Sequence, residues 1–340
     1  MKMKWLYFVV FVLVISSCMD EGMEPLHFPP ALMELPAGFE AFETPIDNVF
    51  SQERWELGRK LFFDPIMSID SSISCGSCHK AQFAFSDDVA FSLGVDERQG
   101  TRNAPSLANV AYHPYLTREG GVPTLEMQIF VPIQEHNEFD FNIVLLAERL
   151  SQNSDYVSMS LAAYDREPDA FVITRSLACF ERSLISGYSP YDHFVNYEDE
   201  GALSDAEIQG MDLFFSDRTN CFSCHSGLNF TNYEFENNGL YEHYEDEGRF
   251  RLTELDSDLA RFKVPSLRNI ELTAPYMHDG SISSLEEVVE HYNEGGFSHP
   301  HKSSLIRPLG LTDSEKANLL AFLKVLTDES FINNPLFNIE

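Results

Sequence analysis

Two five-residue segments carry the densest chemistry in this chain, Cys75-Gly76-Ser77-Cys78-His79 and Cys221-Phe222-Ser223-Cys224-His225. Cysteines three apart fall on one face of a helical turn, from which both sulfurs reach the two vinyl groups of a haem. The adjacent histidine then offers its imidazole to the iron as the proximal ligand, so His79 and His225 are the expected axial residues. Zinc binding or a disulfide would also use such cysteines, but two copies in a duplicated, exported chain favour covalent haem c. Two of the six cysteines lie outside these motifs. Cys179, within Ala178-Cys179-Phe180 on an expected helix, reads as a small buried apolar residue. Cys18 belongs to the N-terminal signal.

That signal is a short segment. Lys2 and Lys4 precede the apolar run Trp5 to Ile15, followed by Ser16-Ser17-Cys18. The layout is that of a signal peptide over residues 1–17, and the run is too short for a transmembrane helix. The ending Val14 to Cys18 resembles a bacterial lipobox. The resemblance implies cleavage before Cys18 and lipidation of its thiol. The expected product is an exported lipoprotein, periplasm-facing or surface-exposed, that meets the membrane only through its anchor. Residues 18–45 are rich in Pro and acid and read as a tether. The net charge of −31 argues against nucleic acid and anionic membranes and suits a basic partner.

The elements that must position the two motifs recur in order. Gly58-x-x-Leu61-Phe62-Phe63 precedes the first motif, and Gly210-x-x-Leu213-Phe214-Phe215 precedes the second. Ala104-Pro105-Ser106-Leu107-Ala108-Asn109 is matched by Val264-Pro265-Ser266-Leu267-Arg268-Asn269, and Thr124-Leu125-Glu126 by Ser284-Leu285-Glu286. Such register implies two copies of one unit. Ser204 with Glu207, and Thr312 with Glu315, are capping boxes that open helices, the latter ending near Thr327. Leu145 to Leu150 and Phe171 to Ile185 have helical apolar spacing, and strand signals are few. The segment Ser186 to Gly201, with Pro190 and an acidic run, reads as a linker between domains over 46–190 and 200–330.

With these motifs the chain resembles bacterial dihaem cytochrome c peroxidases and their MauG-type relatives, from about Glu53 to Thr327. Leu57-Gly58-Arg59-Lys60-Leu61-Phe62-Phe63-Asp64, the two haem motifs, Arg102-Asn103-Ala104-Pro105-Ser106-Leu107 and Ala274-Pro275-Tyr276-Met277-His278-Asp279-Gly280 carry the likeness. It implies a mostly α fold of two tandem cytochrome c-like domains, each with one covalently bound haem c, and calcium between them. The C-terminal helix could pack back on the first domain. One haem would react with hydrogen peroxide and the other relay electrons.

The resemblance also assigns residues. A Gln and a Glu ten apart, with Pro four after the Gln, match Gln128, Pro132 and Glu138. Gln128 shares a helical face with Leu125 and Pro132, and its counterpart in the second copy is the apolar Val288. Glu138 would move a proton from the near to the far peroxide oxygen while Gln128 orients the molecule. The second iron's sixth ligand falls seventeen residues after Pro275 of Thr273-Ala274-Pro275, at Tyr292, on a face with Leu285 and Val288 before Gly295-Gly296 ends the helix. Met277 is the rival ligand, and His278 and His291 read as structural. Asn103, with the carbonyls of Thr273 and Pro275, would hold the calcium.

Two positions depart from the peroxidase pattern. The displaceable distal His of reductively activated members aligns with Val95, so the His79 iron is expected open at rest; His113 and His136 are the substitutes. The tryptophan usual between the haems aligns with Arg118. Trp5 and Trp55 lie elsewhere in the sequence, and Tyr112 and Tyr115 are the nearby aromatic candidates.

The leading expectation is a peroxidase that reduces hydrogen peroxide to water with electrons from a small c-type cytochrome or similar donor, as monomer or homodimer. A MauG-type oxidase acting on a protein or other large substrate is the second reading, favoured by Val95 and Tyr292. A non-enzymatic dihaem carrier is the third, and Gln128 and Glu138 argue against it. His299-x-His301 reads as a solvated loop.

Overall fold

Ser51 starts the first long helix. Its hydroxyl accepts from the Arg54 amide, and the helix Gln52–Phe63 runs on from that cap. Trp55, Leu57, Gly58, Leu61 and Phe62 are its buried residues, a spacing that makes one apolar stripe. The stripe crosses the helix Ala170–Arg182, which starts one residue before and ends three residues short of the span expected from apolar periodicity. Gly58 makes the crossing close, because an added Cβ would sit 1.9 Å from the Ser176 carbonyl oxygen. Phe62 and Phe180 meet one turn further on, with ring centroids 5.0 Å apart.

The second copy repeats this joint. Ser204 and Glu207 form the expected box at the start of Asp205–Phe214, as do Thr312 and Glu315 at Asp313–Lys324. Gly210 lies against the Asn318 carbonyl with the same 1.9 Å limit, and Phe214 meets Phe322 at 5.2 Å. Asn109 and Asn269 are equivalent as well, each at φ 58. Each side-chain oxygen accepts a backbone N–H at 2.8 Å, from Ser186 and from Asp328 respectively.

The computed structural model describes residues 34–338. The expected signal segment 1–17 and the lipidation residue Cys18 lie outside the described residues. From Leu35 onward the chain is one compact unit. Of the expected tether, residues 35–45 are part of this unit, where Phe39 and Phe42 meet the Tyr112 ring edge-on at 5.9 and 5.2 Å.

The expected linker is packed rather than exposed at its start. Ser186, Ser189 and Asp192 are fully buried. Helix Pro190–Asn196 begins there, with a Ser189–Asp192 capping box and Pro in its first turn. Asn269 Nδ2 donates to Ser186 Oγ at 3.0 Å, and Arg268 pairs with Asp192 at 2.5 Å, so the segment ties the copies together. Ser-Pro-x-Asp was the helix-start signal there; the neighbouring acidic run obscured it.

The C-terminal stretch returns to the first copy. Helix Glu329–Ile332 and the turn Pro335–Phe337 set Phe331 and Phe337 against Phe85 at 5.7 and 6.2 Å. The return is therefore made past residue 330, beyond the helix expected to make it. Among the described residues the only paired strands are Phe235–Glu236 and Phe262–Lys263, antiparallel. No described helix is long and apolar enough to cross a membrane.

Candidate functional site

Each haem motif occupies a single helical turn, Cys75–Cys78 in the first copy and Cys221–Ser223 in the second. The four cysteines are partly buried and in no disulfide, while Cys179 is free and buried. Among the described residues no group of His, Cys, Asp and Glu converges at metal-binding spacing, so zinc finds no ligand set.

The two histidines are held alike. Nδ1 of His79 lies 2.8 Å from the Phe85 carbonyl oxygen, and Nδ1 of His225 lies 2.9 Å from that of Phe230. A carbonyl only accepts, so Nδ1 carries the proton and Nε2 keeps its lone pair for a metal. Burial holds both imidazoles below their ordinary pKa, in the neutral form that ligates. Phe85 and Phe230 sit at φ 60 and 50, a region that side chains seldom adopt. Free thiols three apart and an oriented Nε2 fit covalently attached haem at both motifs.

Beside the first motif opens a cavity of about 1210 Å³, lined by Cys75, Cys78, His79, Gln128, Pro132 and Glu138 among others. The structure thus brings the expected distal residues onto the wall of one chamber with His79. Thr124 caps the turn Leu125–Gln128, which presents Gln128. The Oε1 of Gln128 is buried and has no hydrogen-bond partner. The Glu138 side chain is open to the cavity it lines. Desolvation by the surrounding protein, with the Glu135 charge second, pushes its carboxyl up to about 7. Its carbonyl accepts from the Val95 amide at 3.0 Å, and the Val95 side chain is buried. His136 is exposed and pairs with Asp140 at 3.2 Å. His113 lines the cavity, with its Nε2 buried and unpartnered.

The second motif has a different neighbour. Ser284 caps the helix Leu285–Glu294 and Gly295, at φ 86, ends it. Tyr292 on this helix feels the Cys221 and Cys224 thiols, and burial raises its phenol to about 12 against the Asn238 hydrogen bond. Asn238 Nδ2 donates to Tyr292 Oη at 3.5 Å and to Met277 Sδ at 3.3 Å, so both rival ligands flank one amide. His278 stacks on Phe262 at 4.1 Å, and His291 Nε2 is 3.1 Å from the Asn238 carbonyl. His299 Nδ1 accepts from the His301 amide at 3.2 Å.

Several expected or unexpected residues lie between and around the motifs. Trp55 is fully buried and donates to Ser183 Oγ at 2.7 Å, inside the first helix crossing. Tyr112 donates to the Glu40 carbonyl at 2.8 Å and Tyr115 is exposed, so neither lines the cavity. Arg118 does line it, as do Asn103, Thr273 and Pro275. Its guanidinium donates to the Asn103 carbonyl at 2.7 and 3.1 Å and to Asn103 Oδ1 at 3.0 Å. The Asn103 oxygen expected to ligate calcium therefore faces a guanidinium, whose charge disfavours a dication beside it.

Glu181 and Lys263 also line the cavity and were not singled out from the sequence. Burial raises the Glu181 carboxyl to about 8 and lowers the Lys263 ammonium to about 8, the latter helped by the Arg118 charge. Glu181 sits on the apolar stripe of Leu177, Ala178 and Leu184, the same clue that marked Gln128. Lys263 gave no such clue, because its ammonium meets groups of the other copy, the Tyr115 carbonyl at 2.6 Å and His113 Nδ1 at 3.3 Å.

A family model described as di-haem cytochrome c peroxidase matches residues 52–200. The methylamine utilization protein MauG of Methylorubrum extorquens is 33% identical over 293 residues, 85% of this chain and 82% of that protein. The chain belongs to the dihaem cytochrome c peroxidase and MauG family. A cytochrome-c peroxidase of Pseudomonas sp. strain SCT is 32% identical and covers 83% of each chain. The crystal structure of a MauG-like protein associated with microbial copper homeostasis superposes with a TM-score of 0.85 at 36% identity, over 90% of this chain and 98% of that one. Membership makes this chain an oxidoreductase with two haem c groups, from a family that contains both peroxidases and MauG proteins.

Proposed function

We propose that this chain is a dihaem peroxidase that reduces hydrogen peroxide to water with electrons from a small c-type cytochrome or similar redox protein. The observation that carries the reading is the buried, unpartnered Gln128 Oε1 on the wall shared with His79 and Glu138. An orphan acceptor costs about 1–3 kcal/mol, and a peroxide O–H supplies the missing donor. The haem on the first motif, when bound, supplies the iron at which the O–O bond is cleaved. Glu138 takes the proton of the near oxygen and delivers it to the far one, which leaves as water. A carboxyl with a pKa near 7 suits both halves of that exchange. Two electrons and two further protons complete the conversion of one peroxide to two waters. The buried Val95 side chain offers no imidazole, which supports an iron open at rest.

A MauG-type oxidation of a large substrate is the second reading, favoured by Tyr292 beside the second motif. An anionic phenolate ligand favours ferric and higher states, unlike the thioether of Met. Export as a lipoprotein through Cys18 belongs to either reading, and the charge of −31 suits a basic donor. Steady-state peroxide consumption with reduced small c-type cytochrome separates them. A peroxidase turns over rapidly, a MauG-type oxidase is slow with that donor, and a carrier consumes none.

A further inference from the structure

We infer that the Arg118 guanidinium is the resident cation of the Asn103 site, in place of the calcium expected there. Three observations converge on it. First, Arg118 claims both oxygens of Asn103, the carbonyl at 2.7 Å and Oδ1 at 3.0 Å. Calcium bonded to Oδ1 lies at about 2.3–2.6 Å with six to eight oxygens around it, so it would have to displace the guanidinium or sit beside its positive charge. Second, the asparagine is built to face the arginine. Its Nδ2 donates to the Val89 carbonyl at 3.1 Å and its backbone N–H to the His278 carbonyl at 2.9 Å. These two bonds fix Oδ1 and the carbonyl as acceptors aimed at Arg118, and Asn103 is 4% exposed.

Third, the surrounding acids are already committed. Glu119 and Asp246 both pair with Arg102, and Asp279 accepts from the Tyr241 hydroxyl at 2.5 Å. A dication here would meet the positive charges of Arg118 and the nearby Arg102, while each of these carboxylates already has its own donor. The guanidinium stays charged at neutral pH, since burial and Arg102 lower its pKa only to about 10. It is tethered to both copies as well, because the Arg118 carbonyl accepts from the Lys263 amide at 2.7 Å. A covalently attached cation of this kind does not dissociate, so this stretch of the cavity wall holds its charge without free metal.

The inference concerns metal content and not turnover, so it stands or falls apart from the peroxidase reading. The dihaem protein is purified in millimolar calcium, desalted, and its calcium is measured by elemental analysis. Substoichiometric calcium is expected, with haem spectra and thermal midpoint unchanged by EGTA or by added CaCl2. About one calcium per chain, or a spectral or thermal response to EGTA, overturns the inference. The Arg118→Ala variant is the complement. Removing the guanidinium frees Asn103 Oδ1, and the variant is expected to bind calcium at least about tenfold more tightly than the parent, read by calorimetry. A variant that folds with both haems and is as indifferent to calcium as the parent also overturns it.

Discussion

The Val95 amide donates to the Glu138 carbonyl at 3.0 Å. That bond joins the loop after the first haem motif to the segment that carries the proposed proton carrier. Gly94 makes the approach possible, since a Cβ there would lie 2.1 Å from the Asn137 carbonyl oxygen. Gly94→Ala is therefore expected to push the Glu138 segment aside by roughly 1 Å. A displacement of that size costs up to ~10²-fold in rate. Turnover should fall while both haems stay attached, as read from the pyridine haemochrome. Unchanged turnover would mean that the loop does not hold Glu138.

The pH dependence follows from the direction of the Glu138 shift. Desolvation raises its pKa to about 7, so the carboxylate that must accept the peroxide proton forms only as pH rises through that value. The kcat/KM for peroxide is expected to climb about tenfold per unit below the bend and level off above it. A profile flat from pH 5 to 8 contradicts this.

The two irons should differ at rest. With no imidazole at Val95, the His79 iron is expected to be high-spin in the oxidised protein, and the His225 iron low-spin. Electron paramagnetic resonance of the ferric protein should show both signals, and Tyr292→Phe should alter the low-spin one alone. Two low-spin signals in the parent, or an unaltered spectrum in the variant, counts against the assignment. Met277→Leu provides the control and should leave the low-spin signal in place.

Glu181 gives a prediction for stability. Burial lifts its folded pKa to about 8 from an ordinary carboxyl value of 4.5. A raised carboxyl pKa means that the folded state binds the extra proton, so its contribution is whole below pH 4.5 and is lost as pH rises through about 8. Glu181→Gln cannot ionise and escapes that loss. Between pH 5 and 8 the parent should lose about 1 kcal/mol per pH unit relative to the variant. Parallel denaturation midpoints for the two proteins across that range contradict it.

Legibility in the sequence followed the range of the interaction. Gly58 and Gly210 were visible as matched positions of the repeat, though the close helix crossing that requires them, each against a carbonyl of another helix, was not. Ser204, Glu207, Thr312 and Glu315 were readable because a cap spans three residues. Gln128 stood out as a polar group on an apolar face. The Phe85 carbonyl that orients His79 was not readable, since it depends on a backbone twist at φ 60 and not on a side-chain type. The bond from Arg118 to Asn103 was hidden for another reason. Both residues were singled out, but for separate reasons, and only the meeting of two loops made one the partner of the other.

The most direct test of the central claim is the steady-state peroxidase turnover of Glu138→Gln beside the parent, at pH 7 and equal haem content. The amide is nearly isosteric but cannot carry the proton. Turnover should fall ~10²–10⁴-fold with both haem spectra intact. Near-parental turnover in a variant that retains both haems would remove Glu138 from the chemistry and the proton-handling pocket with it.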